Sequence, residues 1–496
     1  MKKSQQKHLY IVFFELLVIQ IVFCTTVYSE QSKGRFTEIK IGSLPENLLG
    51  LVPNDHNVVI AALNKNSEQC LIINGKEGPG FDGIAPNSVI FSKDGKHVVY
   101  IAKKGEQLLV VYDGKASQGY SGIGDGTLAM SPDGKHIAFA AGKDNKWMLV
   151  EDGKTDPVYE SIGGTPVFSP DSRHLAYAAK KDGKWFTIVD GNTGPQFDGI
   201  GALTYSPDSE QVAYVGKKGE KYCVIKNGIV SREFAEFGGL LFSPDGKHFA
   251  YASKNGDKWT CFVDDKPMRE YDLIVQSSLV YSPDSKRLAY VITKDKTMSV
   301  VVDNQDGPEL EGIGSIPLFS SNSKHIAYVA QTEGKQAVVL DQKVGVKYDG
   351  IGTDSFIFSP DGEHSAYAVN IGDKWQIIID GNTGGNRYDQ VGGLTFSPDG
   401  KQLAHIGSNG GKFSMVVNGT EKGKYDGILS APVFTPDSRH MAFWAGAGTN
   451  NYFMVADEQE GSKYEKIISG ITVTDDGGFE AAALKEKVIY RLTWKL

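Results

Sequence analysis

Histidine recurs at one place in a repeated phrase of this chain, directly before a short and mostly apolar run. The seven copies are His97, His136, His174, His248, His325, His364 and His440. Imidazole binds transition metals and serves in general acid–base catalysis, so these residues are the first candidates for chemistry. Each copy belongs to a different repeat, however, and copies spread over different repeats do not converge on one ion. We therefore interpret them as structural, and the sequence predicts no catalytic residue, no cofactor and no metal site.

The phrase that carries these histidines reads Phe-Ser-Pro-Asp-Ser-Arg-His-Leu-Ala-Tyr at residues 168–177. Pro cannot donate to a sheet and fixes its own φ, while Ser, Asp and Gly favour the other positions of a type I turn. The run after the His resumes a strand, and a third strand follows the hairpin at Asp182-Gly183. Residues 197–201 are predicted as the short fourth strand. The turn aspartates are therefore expected to cap turns rather than to catalyse a reaction.

Twelve such units follow one another with separations of 37 to 40 residues. Aligned on the turn residue, they fall at Asn54, Asp94, Asp133, Asp171, Asp208, Asp245, Asp284, Asn322, Asp361, Asp399, Asp437 and Asp476. A period near 40 residues with four strands per unit is typical of propeller blades. Residues 175–178 (Leu-Ala-Tyr-Ala) are apolar on both faces, as a sheet between two others requires. The fold class is therefore all-β, with twelve four-stranded blades.

The turn Ser-Pro-Asp-Gly-Lys, as at residues 243–247, is followed by a strand of apolar residue, Ala and aromatic residue. This combination resembles the WD40-like propeller repeat of the TolB type, and the resemblance covers the chain from about residue 35 to residue 496. It implies a β-propeller. It implies no single activity, because such propellers serve many unrelated roles.

Closure of the propeller leaves two arrangements open. Residues 35–41 look like a fourth strand without its own blade, and the last unit lacks a fourth strand. In two six-bladed rings, residues 35–41 close the sixth blade and residues 271–275 do the same for the second ring. In one twelve-bladed ring, residues 35–41 close the twelfth blade. Typical propellers have four to eight blades, so we favour two domains, at residues 35–273 and 274–496.

The N-terminal residues 1–29 resemble a signal peptide. Lys2, Lys3 and Lys7 precede an apolar core that runs to Cys24, and a small residue, Ser29, ends the segment. We therefore expect an exported protein, periplasmic or extracellular, with no membrane span after cleavage. An uncleaved segment that anchors the chain to the membrane is the alternative.

The net charge bears on the class of partner, and the cysteine content bears on the redox state of the thiols. The formal net charge of −8 has the wrong sign for a general binder of nucleic acid. Of the four cysteines, Cys70, Cys223 and Cys261 remain after cleavage of the predicted signal peptide; all three fall on predicted third strands, and an odd number cannot pair fully within one chain. We expect buried, reduced cysteines.

The aromatic residues that open third strands are interpreted as packing between blades, with a ligand cage as the alternative; they are Trp147, Trp185, Tyr222, Trp259 and Trp375.

Lysines accumulate in the hairpins between second and third strands of units two to six. We regard the following as a possible face for an anionic partner: Lys103, Lys104, Lys143, Lys146, Lys180, Lys181, Lys217, Lys218, Lys254 and Lys258. With Lys184 and Lys221, the twelve lysines stand against five hairpin acids, a local net charge of +7. The hairpins of units eight to ten have a net charge of only +1. We favour the interpretation that these are solvated loops that discourage edge pairing, and a cationic face for an acidic partner is the alternative.

The sequence thus favours a non-catalytic exported binding or scaffold protein of the cell envelope, for a protein, peptide or anionic glycan partner. The alternative is a carbohydrate-active lyase or hydrolase that uses the axial cleft of the propeller. An enzyme would need polar residues that depart from the repeat and meet at the axis. The residues that depart from it are Arg232, Glu233, Glu236, Arg269 and Glu270.

Overall fold

Short antiparallel strands make up almost all of the regular structure. The computed structural model describes residues 36–45, 48–52, 57–144 and 146–495, and these contain no α-helix and one 3-10 turn, Pro86–Ser88. The strands form twelve antiparallel sheets, numbered here 1 to 12 in chain order, with four strand positions each. In seven sheets a short loop divides the first strand into two pieces. The predicted signal peptide and the turn at Asn54 lie outside the described residues.

The first four sheets have the following bounds. Sheet 1 comprises Leu48–Val52, Val59–Leu63, Gln69–Ile73 and Lys76–Glu77. Sheet 2 comprises Gly83–Ile84 with Ile90–Phe91, then Val98–Lys104, Gln107–Tyr112 and Lys115–Ala116. Sheet 3 comprises Gly122–Ile123 with Ala129–Met130, then Ile137–Lys143, Lys146–Glu151 and Lys154–Thr155. Sheet 4 comprises Ser161–Phe168, Leu175–Lys181, Lys184–Val189 and Asn192–Thr193.

Sheets 5 to 8 repeat this plan. Sheet 5 comprises Gly199–Tyr205, Val212–Lys218, Lys221–Lys226 and Ile229–Val230. Sheet 6 comprises Glu236–Phe242, Phe249–Asn255, Lys258–Val263 and Lys266–Tyr271. Sheet 7 comprises Leu273–Ile274 with Val280–Tyr281, then Leu288–Lys294, Thr297–Val302 and Gln305–Asp306. Sheet 8 comprises Gly312–Ile313 with Leu318–Phe319, then Ile326–Thr332, Lys335–Leu340 and Lys343–Tyr348.

The last four sheets include the chain closure. Sheet 9 comprises Gly350–Ile351 with Ile357–Phe358, then Ser365–Ile371, Lys374–Ile379 and Asn382–Tyr388. Sheet 10 comprises Gln390–Phe396, Leu403–Asn409, Lys412–Val417 and Thr420–Tyr425. Sheet 11 comprises Gly427–Ile428 with Val433–Phe434, then Met441–Gly446, Tyr452–Ala456 and Gln459–Glu460. Sheet 12 comprises Lys466–Ile467 with Thr472–Val473, then Phe479–Lys485, Val488–Trp494 and the N-terminal strand Phe36–Ser43.

The turn phrase is held by side-chain hydrogen bonds that repeat from sheet to sheet. In sheet 4, Ser169 Oγ donates to Asp171 Oδ1 at 2.5 Å and accepts from the backbone N–H of His174 at 3.0 Å. The next turn takes part as well, because the backbone N–H of Asp171 donates to Ser209 Oγ of sheet 5 at 3.0 Å. The predicted turn role of Ser and Asp is therefore confirmed, and the bond to Ser209 ties neighbouring sheets together.

Hydrophobic packing connects each sheet to the next around a complete circle. Ala250, Ala252 and Trp259 of sheet 6 pack in one cluster with Tyr281 and Tyr290 of sheet 7. The circle closes where Val58 and Ile60 of sheet 1 pack against Ala482 and Ile489 of sheet 12. First strands of neighbouring sheets also contact each other, whereas fourth strands are mostly exposed. The first strands therefore lie toward the axis of the ring, and the β-propeller expectation is confirmed.

The preferred arrangement of two six-bladed rings is wrong. The strand Phe36–Ser43 pairs with Val488–Trp494 of sheet 12, with Phe36 opposite Trp494, and not with sheet 6. Sheet 6 already has its own fourth strand in Lys266–Tyr271, and its core is continuous with that of sheet 7. The alternative left open by the sequence, one ring of twelve blades, is the arrangement observed. Packing is thus continuous across the predicted domain boundary at residues 273 and 274.

The prediction of residues 197–201 as one fourth strand is also wrong. Phe197 forms a bridge with Trp185 at the outer edge of sheet 4, whereas Gly199 already pairs with Lys217 in sheet 5. The same change of sheet occurs at residues 271–275, where Tyr271 pairs in sheet 6 and Leu273 in sheet 7. These segments are therefore corners at which the chain passes from one sheet to the next.

Candidate functional site: the hairpin face

The connections of each sheet lie alternately on two faces of the ring, because consecutive antiparallel strands reverse direction. The turn face carries the turns between first and second strands and between third and fourth strands. The hairpin face carries the hairpins between second and third strands, together with the corners that lead to the next sheet.

The recurrent histidines lie on the turn face, where each contacts an aspartate of its own sheet. His174 Nδ1 lies 2.7 Å from Asp190 Oδ2, and Asp190 Oδ1 accepts the backbone N–H of Leu175 at 3.0 Å. The same pair joins His97 to Asp113, His136 to Asp152, His248 to Asp264, His325 to Asp341, His364 to Asp380 and His440 to Asp457. Each pair fastens two turns of one sheet, so the seven imidazoles do not converge.

Two of these histidines have a perturbed acid–base equilibrium. The hydrogen bond with Asp152 raises the pKa of His136, and the bond with Asp380 raises the pKa of His364. In both cases the carboxylate favours the protonated imidazole, which strengthens the contact between the two turns.

The lysines of the candidate face do lie in the hairpins of sheets 2 to 6, but acids at the corners share that face. Asp198 is the clearest example, because it connects two sheets. Lys184 of sheet 4 donates to Asp198 Oδ1 at 2.5 Å, and the backbone N–H of Gly219 in the hairpin of sheet 5 donates to Asp198 Oδ2 at 2.7 Å. The N–H of Gly219 and then the Lys184 ammonium lower the pKa of Asp198. Asp198 was not identified as a site residue from the sequence.

Similar pairs occupy several other corners. Lys258 lies 2.5 Å from Asp272, and this hydrogen bond raises the pKa of Lys258 and lowers that of Asp272. Lys218 and Lys254 pair with the glutamates Glu233 and Glu236 at 3.5 and 2.8 Å. In sheets 8 to 10 the first lysine of the third strand is always paired, in Lys335–Asp349, Lys374–Asp389 and Lys412–Asp426. A repeated Lys-to-Asp spacing of 14 or 15 residues was the sequence signal for these pairs.

The corner acids reduce the charge of the candidate face. The twelve lysines of sheets 2 to 6 now face five hairpin acids and six acids at or beside corners, so the net charge falls to about +1. The six are Asp82, Glu160, Asp198, Glu233, Glu236 and Asp272. Even so, the charge is unevenly distributed. Among the described residues, no acid lies within 4.0 Å of the lysine ammonium groups of Lys103, Lys104, Lys143, Lys146, Lys180, Lys181 and Lys217.

Six of these seven lysines lie on sheets 2 to 4, and we call them the lysine surface: Lys103, Lys104, Lys143, Lys146, Lys180 and Lys181. At the corner between sheets 2 and 3, Ser121 occupies the position that holds an acid at most other corners, and it donates to the carbonyl of Gly142 at 2.8 Å. Lys180 lies over the ring of Trp185, 6.0 Å from its centroid, and the other five lysines are exposed. Their ammonium groups are therefore available to a partner.

The residues proposed for an enzyme do not meet at the axis. Glu233 and Glu236 pair with hairpin lysines, and Arg232 lies 5.1 Å from the ring centroid of Phe262. Arg269 and Glu270 lie on the outer strand Lys266–Tyr271 of sheet 6, where Arg269 contacts Asp306 at 3.6 Å. The structure therefore assembles no polar cluster from this set in the axial cleft.

Cys70, Cys223 and Cys261 are free and buried on third strands, as the sequence predicts. Burial raises the pKa of Cys70 to about 11 and that of Cys261 to about 12, so both remain protonated thiols at neutral pH.

In the part of the chain that the structure describes, no helix has the length and apolar character needed to cross a bilayer.

Comparison with known proteins yields only distant similarity. No protein-family model matches the chain, and no curated protein matches its sequence. Among solved structures, a crystal structure of the eukaryotic initiation factor is similar at 14% identity, with a TM-score of 0.33; the match covers 71% of this chain and 97% of that one. Hydrazine synthase of Kuenenia stuttgartiensis is similar at 12% identity, with a TM-score of 0.24, covering 51% of this chain and 94% of that one.

Proposed function

We propose that this chain is an exported, non-catalytic binding or scaffold protein that holds an acidic partner on the lysine surface of sheets 2 to 4. One contrast carries the proposal. The lysines that begin the third strands of sheets 8 to 10 pair with corner aspartates, as Lys184 of sheet 4 does, whereas no acid of the described residues lies within 4.0 Å of the six ammonium groups of the lysine surface. The hairpins of sheets 8 to 10 form without unpaired lysines, so the fold does not require the unpaired lysines on the adjacent hairpins of sheets 2 to 4, and these are available for binding.

A regular array on a rigid scaffold suits an extended polyanion. The lysine surface repeats at the spacing of successive sheets, and the second and third strands that carry its hairpins are backed by packed sheets. Rigid elements that present loops are a common basis for recognition. An anionic glycan or an acidic segment of a protein offers charges along its length, so several lysines bind it at once. Such binding weakens as salt increases, because exposed charges are screened.

Charge reversal tests this proposal. The triple variant Lys104→Glu, Lys143→Glu and Lys181→Glu is expected to abolish retention of the mature chain on a sulfated polysaccharide column at low salt. The matched control is Lys335→Glu, Lys374→Glu and Lys412→Glu, which makes the same change in net charge at paired lysines. Equal elution of the two variants would contradict the assignment to sheets 2 to 4. Failure of the wild-type chain to bind any anionic matrix would contradict the acidic partner itself.

We further propose that the repeat belongs with the WD40-like repeats of the TolB type. The support is the turn phrase, whose Ser and Asp form the same hydrogen bonds in sheets 6, 7 and 10.

Export is supported by the basic start and apolar core of residues 1–29. Mass spectrometry of the protein recovered from the producing cell tests export, since the expected N-terminus of the mature chain is Glu30. An intact N-terminus would favour the membrane-anchored alternative.

A further inference from the structure

A cavity of about 350 Å³ opens between the first strands of sheets 9 and 10, far along the ring from the lysine surface. Its walls include Thr353, Asp354 and Trp375 of sheet 9 and Gly392 and Gly393 of sheet 10. The volume lies at the lower end of the range of about 300–1,000 Å³ for sites of small molecules.

In sheets 4 and 6 the tryptophan of the third strand lies directly on a glycine of its own first strand. A Cβ added to Gly163 would lie 2.7 Å from the indole of Trp185, and one added to Gly238 would lie 2.7 Å from Trp259. In sheet 9 the atoms closest to a Cβ on Gly352 belong instead to Ser355 and Ala368. The indole of Trp375 forms part of the cavity wall.

The opposite wall combines the backbone of two glycines with Val391 and Leu394. Gly392 and Gly393 lie within the first strand of sheet 10, and a Cβ on Gly392 would meet no atom within 4 Å. Two other interfaces between sheets are bridged by hydrogen bonds at this level. Thr165 donates to the carbonyl of Gly126 at 2.6 Å between sheets 3 and 4, and the backbone N–H of Ser277 donates to the carbonyl of Gly238 at 3.2 Å between sheets 6 and 7. Among the described residues, no hydrogen bond joins residues 352–356 to residues 390–396.

An anchored loop carries the polar groups. Ser355 Oγ donates to the carbonyl of Gly352 at 2.7 Å and accepts the backbone N–H of Ala368 at 3.2 Å, which fixes the loop on sheet 9. Between these anchors, Thr353 and Asp354 are exposed, and Asp354 has a left-handed φ of 53°. The loop thus holds a hydroxyl and a carboxylate beside the indole of Trp375, and the wall contains no Lys, Arg or His.

We propose that this cavity binds a neutral sugar unit. The apolar C–H face of a sugar ring packs on an indole, and vicinal hydroxyls donate two charge-assisted hydrogen bonds to one carboxylate. Asp354 without a neighbouring cation disfavours anionic ligands. A cationic ligand gains little there, because solvent screens an ion pair with an exposed carboxylate. The missing side chain of Gly392 leaves room for the ring between the two sheets.

The chain provides a matched control for the test. Gly201 of sheet 5 corresponds to Gly392 of sheet 10: each precedes the turn serine by five residues, and a Cβ meets no atom within 4 Å at either position. The neighbouring loop of sheet 4, residues 163–166, contains no carboxylate. Gly392→Leu fills the proposed site, whereas Gly201→Leu makes the same substitution at an interface without Asp354.

The experiment probes the mature chain with an array of neutral oligosaccharides and measures the best ligand by isothermal titration calorimetry. We expect saturable binding by the wild type and by Gly201→Leu, and weakening by about tenfold or more in Gly392→Leu. Asp354→Asn keeps the shape of an exposed side chain, so it tests the carboxylate even if Gly392→Leu folds poorly, and we expect about tenfold weaker binding.

Three results would overturn the inference: no saturable binding to any neutral glycan, unchanged affinity in both site variants, or equal loss in Gly201→Leu. Spermidine is titrated in parallel, and binding of this amine in place of sugars would assign the cavity to cations. None of these results depends on the lysine surface, so the two proposals fail independently.

Discussion

At the scale of single residues, the turn aspartates are carboxylates that recur at the same position from sheet to sheet and are held there by hydrogen bonds. Each accepts a hydrogen bond from the hydroxyl of the Ser or Thr two residues before it, and a backbone N–H two residues after it supplies a second bond. The serine hydroxyl is the main reason that the pKa values of Asp133 and Asp284 are lowered from 3.8 to about 2. Asn322 forms the same bond with Ser320 at 2.7 Å, so the geometry does not require a charge.

The lowered pKa values predict a defined acid sensitivity. Because the folded-state pKa lies below the unfolded value, these aspartates stabilise the ring above about pH 4 and lose that contribution as pH falls toward about 2. We expect the double variant Asp133→Asn and Asp284→Asn to lose less unfolding free energy than the wild type across this window. Urea unfolding followed by circular dichroism at each pH measures it.

The control for this prediction is Asp182→Asn, a substitution in a hairpin. The Asp182 side chain makes no hydrogen bond within 3.5 Å in the described part of the chain, so its variant should keep the wild-type slope. A double variant with the same slope as the wild type would mean that the turn bonds do not distinguish the charged from the neutral form.

At the scale of elements, local patterns were sufficient for some strands and insufficient for others. Turn residues and the apolar runs after them identify the second and third strands, because these features need no knowledge of a distant partner. The corner at residues 197–201 was misassigned since Phe197 and Gly199 belong to one continuous extended segment and differ only in the sheet with which they pair. The corner acid Asp198 was missed for the same reason.

The N-terminal strand is the element on which closure depends. Phe36 is buried in a cluster with Trp444 of sheet 11 and Phe479 of sheet 12, whereas Ile39 on the same strand is 39% exposed. We expect Phe36→Ala to reduce the free energy of unfolding by about 3–5 kcal/mol. Chemical denaturation of the purified mature chain measures this change.

Ile39→Ala is the matched control for Phe36→Ala, because it removes an aliphatic side chain that faces solvent on the same strand. We expect less than about 1 kcal/mol for it. Equal effects of the two substitutions would indicate that this strand does not close the ring in solution.

At the scale of the whole molecule, the number of rings was beyond the reach of the sequence. The twelve repeats share the same turn, strand lengths and apolar pattern, so sheet 1 fits equally well beside sheet 6 or sheet 12 on local grounds. The pairing of Phe36 with Trp494, the cluster of Ile60 with Ile489 and the continuous core of sheets 6 and 7 distinguish the two arrangements. The accumulation of lysines in the hairpins was identified from the sequence. The pairing of other hairpin lysines with corner acids was not, because these acids lie beyond the hairpins.

Separate expression of residues 35–273 and 274–496 tests the single ring. Each half would expose two apolar sheet faces that the ring covers, namely those of sheets 1 and 6 in one half and those of sheets 7 and 12 in the other. We therefore expect each half alone to aggregate or associate, as shown by size-exclusion chromatography with light scattering. A monodisperse half that unfolds in one sharp transition would instead establish two independent domains.

The pairing of Phe36 with Trp494 places both ends of the described chain on one sheet. The position of the chain termini therefore does not determine the assembly. A short linker between the two termini, together with new termini at another corner, would give a circular permutant with the same twelve interfaces. Natural or engineered relatives with the repeats in rotated order are compatible with this architecture, and each would place its free ends beside a different sheet.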